Sequence, residues 1–368
     1  MQSRRYFGKT EITGCMCRFD ALQRSPFPPF NKTIGPNSVK EDTDTRCFDE
    51  LLARLKEAVS VRVHSAPINR QGQQPQNRIG ILFSGGLDCT LLARIAHNIL
   101  PFEEDIDLLN VAFENPRVLR AITQQRSVTS PSSSAYEACP DRISARQSHK
   151  DLMELCHERI WRLVCIDVPY EELCDHRPKI IALLWPSKTE MDFSIGCALY
   201  FAARGTGNAS NPISGHNERY QSPARVLLSG LGADELFGGY SRHSAAFARG
   251  GLSALVGELE LDFKRIGERN LGRDDRVISH WGKEVRYPFL DEEVVIWALG
   301  APVWQKCGFG RDMEEDGPDD PCKWILRVIA WGLGLTKVAN LKKRAIQFGA
   351  RTAKMEVGNT KGHTEITM

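Results

Sequence analysis

Apolar residues along this chain alternate between short solid runs and spaced stripes. Phe48, Leu51, Leu52, Leu55, Val59 and Val63 recur at intervals of three and four, one face of a helix over 47–63. Ile79 to Leu82 is a solid run; Phe83, Ser84, Gly85 and Gly86 follow, and Thr90 to Leu100 is striped until Pro101 ends it. Asp107–Phe113, Trp161–Val168 and the shorter Val226–Leu228 read as further strands. Helices are predicted over 151–158, 171–185 and 192–204, and from Ser253 onward the chain reads as mostly helical. Strands separated by helices predict an α/β fold: a parallel twisted sheet with flanking helices and a helical C-terminal part.

The polar segments set the boundaries. Residues 1–45, with Ser25-Pro-Phe-Pro-Pro29, predict a poorly ordered or truncated arm, and 70–77 a linker. Residues 114–148 and 205–225 read as surface insertions, 310–320 as an acidic loop, and 358–368 as a frayed tail. One domain over 46–357 remains, with its α/β core at about 78–250 and its helical part at about 251–357.

Composition narrows the function classes. A formal net charge of +2 among 368 residues gives no electrostatic reason for a nucleic-acid or membrane partner. No apolar run reaches the ~18 residues of a membrane span. The start shows basic residues without an apolar stretch behind them, so a cytoplasmic protein is expected. The 11 cysteines are scattered, only Cys15 and Cys17 lie close together, and they read as reduced structural thiols rather than zinc ligands.

Candidate chemistry gathers at two glycine-rich turns. Ser84, Gly85, Gly86, Leu87 and Asp88 join a strand to a helix, the layout in which backbone N–H groups and a helix N-terminus hold an anion. No Gly-Lys-Ser/Thr follows, so this is not the common phosphate loop. Ser229-Gly-Leu-Gly-Ala-Asp-Glu-Leu-Phe-Gly-Gly-Tyr240 repeats the arrangement after another short strand. Two strands ending in such turns would bring both to one carboxyl edge, where ligands bind.

Ser84-Gly-Gly-Leu-Asp88, the block from Ser229 to Tyr240, and Glu284-Val-Arg-Tyr-Pro-Phe-Leu-Asp291 together resemble the synthetase domain of the asparagine synthetase B family, an N-type ATP pyrophosphatase. The resemblance covers roughly residues 47–355, and it extends to Asp107–Phe113, Asn270–Arg276 and Arg344–Gly349. It implies the adenine nucleotide alpha hydrolase-like fold, ATP and Mg²⁺, adenylation of aspartate or another small carboxylate, and displacement of AMP by ammonia. It also implies roles. Ser84, Gly85, Gly86, Leu87, Asp88 and Cys89 would form the pyrophosphate loop, with Ser229 and Gly230 beside the nucleotide. Leu82 and Val111 would hold adenine through backbone groups, or be core residues. Asp88 and Asp234 would be Mg²⁺ ligands, or acids of a helix first turn. Lys342, Lys343 and Arg344 fall near the family's pyrophosphate-stabilising lysine, or form a solvated basic face. Arg286 and Asp291 read as structural ties.

Two departures qualify the resemblance. Family members that use glutamine begin Met-Cys, whereas residue 2 here is Gln, so a functional glutaminase is not expected and nitrogen would come from solution or a partner glutaminase. Leu231 stands where the family has a glutamate that binds substrate and manages the proton of ammonia. Glu235 keeps its own place in the motif and is no obvious substitute. Cys89 replaces a serine, with Thr90 as a compensating hydroxyl. The family activity, asparagine formation, is therefore one expectation; a nucleotide-binding or regulatory module that has lost amide transfer is the other.

Overall fold

The computed structural model describes residues 27–34, 44–67, 78–118, 135–210, 215–311, 317–353, 355 and 362–366. A seven-stranded sheet runs through the molecule in the order β5-β4-β3-β2-β1-β6-β7. Its strands are β1 Ile79–Leu82, β2 Ile106–Phe113, β3 Trp161–Val168, β4 Thr206–Ser210, β5 Asn217–Gln221, β6 Val226–Leu228 and β7 Glu284–Arg286. β3, β2, β1, β6 and β7 are mutually parallel; β4 and β5 add an antiparallel edge. The predicted α/β architecture stands.

Alternation along each strand divides the core into two layers. Ile79 and Ile81 of β1, with Ile106 and Leu108 of β2, point toward helices α1 (Asp44–His64) and α2 (Leu87–His97). Leu109, Val111 and Phe113 point the other way. All eight residues of β2 are buried, as a central strand covered on both faces requires. Phe113 packs edge-on against Phe201 at 5.7 Å. Further helices follow: α3 Pro140–Leu155, α4 Tyr170–Leu184, α5 Glu190–Arg204, α6 Ala233–Phe237, α7 Ser241–Ile266, α8 Gly272–Ser279, α9 Glu292–Gly300, α10 Trp324–Gly332 and α11 Ile346–Gly349. Among them, α4, α5 and α8 cover the second layer.

The chain enters β1, crosses to β2 and β3 on one side, then returns to lay β6 and β7 on the other. Strand order thus reverses between β1 and β6, and the crevice outside their carboxyl ends is the place where open α/β sheets bind ligands.

Three expectations change. The 114–148 segment is no simple insertion: α3 begins at Pro140 and presents buried Asp141, Arg142, Ser148 and Asp151. With only Ala145 and Leu152 as buried apolar residues, the helix leaves little apolar stripe to read. The 205–225 segment forms the β4–β5 hairpin, whose β5 is almost wholly exposed and so lacks an apolar alternation. Glu284–Arg286 is an edge strand inside a stretch expected to be helical.

The expected arm and tail lie mostly outside the described residues, as do the linker at 70–77 and residues 312–316 of the acidic loop. Two of their described parts are held. Asn31 donates from its backbone N–H to the Leu299 carbonyl at 2.8 Å, and Phe30 is buried. Glu365 pairs with Thr189, and the Glu190 and Met191 N–H groups donate to the Thr364 and Gly362 carbonyls, so residues 362–366 are not frayed.

Candidate active site

The turns that end β1 and β6 meet at that switch point and border a cavity of about 330 Å³. The first turn is shaped by two contacts with α3. Gly85 has φ +75°, and a side chain there would stand 2.3 Å from the Ser144–Ala145 backbone of α3. Ser148 donates from Oγ to the Gly85 carbonyl at 2.7 Å. Asn110 fixes the base of the turn by donating to the carbonyls of Phe83 (2.9 Å) and Asp141 (3.2 Å). Buried Arg142 in turn holds Asn110 at 2.6 Å and Asp167 at 2.7 Å. No side chain caps the N-terminus of α2, so its first N–H groups face the cavity side unsatisfied by a cap.

The predicted residues converge. Leu82, Ser84, Gly86, Leu87, Asp88 and Cys89 line the cavity, and so does Val111 from β2. Ser229, Gly230, Leu231 and Asp234 line it from the second turn, and Lys342, Lys343 and Arg344 from the segment before α11. Gly85 is turned toward α3 instead. Thr90 is fully buried with its hydroxyl unpartnered among the described residues, and it does not border the cavity, so it does not compensate for Cys89. Cys89 lies 3.6 Å from the Ser84 hydroxyl and donates to the Gly86 carbonyl; burial pushes its thiol up, away from the thiolate.

The residue at the centre of the floor was not among the sequence candidates. Lys323, 3% exposed, donates to both oxygens of Asp88 (2.8 and 2.6 Å) and lies 2.7 Å from Oδ1 of Asp234. Lys343 contacts the other oxygen of Asp234. Burial alone would raise the Asp234 pKa, but the two ammonium charges hold its carboxyl well below the usual carboxylate range. Burial likewise opposes the charge on Lys323, yet Asp234 and Asp88 keep its pKa above the ordinary lysine value. The approach depends on Gly239, where a side chain would lie 1.9 Å from Asp234 Oδ1 and 2.4 Å from Lys323 Cε. Lys323 precedes α10 in a left-handed conformation, φ 56°. A lysine at a helix N-terminus runs against the helix dipole, and that mismatch was the only signal in the sequence.

The rest of the second motif supports this floor. Glu235 faces away from the cavity, accepting from the Tyr240 hydroxyl at 2.6 Å and Asn270 at 3.1 Å. Burial, then the charge of Asp234, pushes its pKa up. It does not replace the missing glutamate at Leu231. Arg273 lines another wall, bound to Asp274 at 2.8 Å and Asp192 at 2.9 Å. Buried Arg327 donates to the carbonyls of Cys322, Ala339 and Leu341 and to Asp320, pinning the basic segment beside α10. Arg286 donates to the Arg62 carbonyl and to Ser65, and Asp291 pairs with Arg62 at 2.6 Å while capping α9. Both are the structural ties expected of them.

Asp88 and Asp234 are suited to Mg²⁺ only in company. Two carboxylates bracket one ammonium, and no cluster of three or more metal-ligating side chains exists among the described residues. Mg²⁺ commonly takes one or two carboxylates and completes its shell with water and substrate phosphate, which this pair permits. No described helix is long and apolar enough to cross a membrane.

Comparison with known proteins agrees with the sequence blocks. The asparagine synthase family model matches residues 206–256 and 248–367. The chain is 41% identical over 309 residues to the human "Asparagine synthetase domain-containing protein 1", covering 77% of this chain and 46% of that protein. A Drosophila melanogaster asparagine synthetase domain-containing protein is 39% identical over 339 residues, covering 88% of this chain and 55% of its own length. An "Asparagine synthetase [glutamine-hydrolyzing]" of Sandersonia aurantiaca is 33% identical over 130 residues, 33% of this chain and 22% of that one. The chain spans about half the length of the domain-containing relatives it matches.

Proposed function

Because the chain belongs to the asparagine synthase family, we propose that it binds ATP·Mg²⁺ at the β1/β6 crevice and adenylates a small carboxylate, with aspartate as the family substrate. Ammonia, from solution or from a partner glutaminase, then displaces AMP to give asparagine. The catalytic unit is the domain over 46–357. The observation that carries the reading is convergence: two glycine-rich turns, distant in sequence, bring Asp88 and Asp234 onto the same ammonium.

Each residue has a task in this reading. Ser84, Gly86, Leu87 and the open end of α2 hold the phosphates. Asp88 and Asp234 hold Mg²⁺, which would supply positive charge to the phosphate oxygens. Lys323 keeps the two carboxylates at their separation, and Lys343 and Arg344 face the departing pyrophosphate. Leu82 and Val111 border adenine, with Ser229 and Gly230 beside the nucleotide. A cytoplasmic setting suits the nine described cysteines, all free thiols.

Leu231 supports the second reading, a nucleotide-binding or regulatory module without amide transfer, because it puts an isobutyl group on the cavity wall where the family has a carboxylate. One experiment separates the two. Titration calorimetry gives heat with ATP·Mg²⁺ under both, weakened about tenfold or more in Asp88→Ala and Asp234→Ala. Pyrophosphate release that depends on aspartate, with asparagine formed from ammonium and raised in Leu231→Glu, supports the synthetase. Heat without carboxylate-dependent pyrophosphate release supports the module, and no heat in folded protein sinks both.

A further inference from the structure

Four carboxylates border the cavity: Asp88, Asp234, Asp274 and Asp141. Three are neutralised in place. Asp88 and Asp234 share Lys323, and Asp274 is bound by Arg273. Asp141 differs. It is 6% exposed, and its carboxylate has no hydrogen bond or ion pair among the described residues. It sits in the first turn of α3 but does no capping, because no side chain caps that helix and only the Asp141 backbone carbonyl is engaged, by Asn110. Gly349 of α11 lies directly against it; a Cβ there would stand 1.9 Å from Oδ1. A buried carboxylate left unpaired at a cavity wall is costly to the fold, and ordinary packing would have satisfied or removed it.

Resting on the reading above, we propose that Asp141 is the general base of the amide-forming step, docking the nitrogen nucleophile and taking its proton. The nitrogen lone pair forms the C–N bond to the adenylated carboxyl. The C–O bond to AMP breaks, its electron pair leaving on the phosphate oxygen, and the proton shed by nitrogen passes to the Asp141 carboxylate. This assigns to α3 the task that Leu231 cannot perform.

The charges facing Asp141 are Arg344 and Lys343 from the segment before α11, with the Cys139 thiol on its own side. Burial raises its pKa to about 7 against the pull of those two cations, so the carboxyl exchanges its proton near neutrality, as a base must.

The test compares wild type with Asp141→Asn in the full chain, measuring two reactions separately. Exchange of labelled pyrophosphate into ATP, dependent on the carboxylate, reads adenylation alone. Asparagine formation from ammonium chloride reads the second step. Asp141→Asn keeps exchange within about threefold, loses ~10²-fold or more in amide formation, and loses the rise of the amide rate through about pH 7. Equal loss of both reactions, in protein whose melting shows it folded, overturns the inference in favour of a positioning role. So does unchanged amide formation with an unchanged pH profile. No exchange in the wild type sinks the proposed function itself, and this inference with it.

Discussion

At the floor of the cavity Asp88, Lys323, Asp234 and Lys343 form one chain of alternating charge, whereas on the wall made by α3 and the C-terminal segment Asp141, Lys342 and Arg344 pair with nothing among the described residues. Both regions are ionic and border the same space. Their energetics are opposite. The floor keeps its charges because each offsets another's desolvation; the wall keeps one buried charge at the expense of the fold. Pairing marks what the protein needs in order to hold the site, and an unpaired buried charge marks what it keeps for a ligand.

The largest effect should come from breaking the floor. Lys323→Met leaves two carboxylates beside each other with only Lys343 to compensate, and loss of one partner from a buried network costs about 3–5 kcal/mol. Chemical denaturation should show that loss, and ATP·Mg²⁺ should recover part of it because the cation takes the ammonium's place in charge. A loss below about 1 kcal/mol would mean that the floor is no better integrated than a surface pair, whose usual worth is about 0–1 kcal/mol.

Next in size is the pH response, where the regions pull in opposite directions. Asp234 is held below its ordinary pKa, so its contribution is present above the unfolded value of ~3.9 and is lost as pH falls through the depressed native value. Asp141 is raised to about 7, so stability is fullest below the unfolded value and declines as pH rises through about 7. Asp141→Asn removes that decline. Its melting temperature should exceed that of wild type by about 2–4 °C at pH 8 and by little at pH 4. An equal shift at both pH values would show that Asp141 is neutral in the native state throughout.

How much of this was legible in the chain depends on which face carried the signal. The central strands and the two turns were legible because solid apolar runs and glycine clusters are local features, and Leu82, Val111 and the residues of both turns border the cavity together. α3 was missed until its last turns because four of its six buried residues, Asp141, Arg142, Ser148 and Asp151, are polar, and Ala145 and Leu152 alone make too thin an apolar stripe to tell it from a loop. Lys323 was missed for a related reason: its partners lie 235 and 89 positions away in the chain, and its place at a helix N-terminus, the one local hint, does not say which carboxylates will bury its ammonium. Leu231 was legible as a loss, but the residue proposed to answer it, Asp141, lies on α3, about 90 positions earlier, and only the fold brings the two to one cavity.

The smallest effect on stability should belong to Arg344, and it tests the comparison most narrowly. Its guanidinium is exposed and unpaired among the described residues, so Arg344→Ala should change unfolding free energy by no more than about 0.5 kcal/mol. If the wall is reserved for ligand, the cost appears elsewhere. A guanidinium on a phosphate makes a charge-assisted hydrogen bond, and its loss from an exposed position weakens ATP·Mg²⁺ or pyrophosphate binding about tenfold, with a shallower dependence on salt. Calorimetry at two ionic strengths reads both changes. Unaltered affinity would make Arg344 part of a solvated basic face and leave Asp141 as the wall's buried ligand-facing charge. Arg344→Ala would then also lift the Asp141 pKa further, since its charge opposes burial there, and the decline in stability would extend to higher pH.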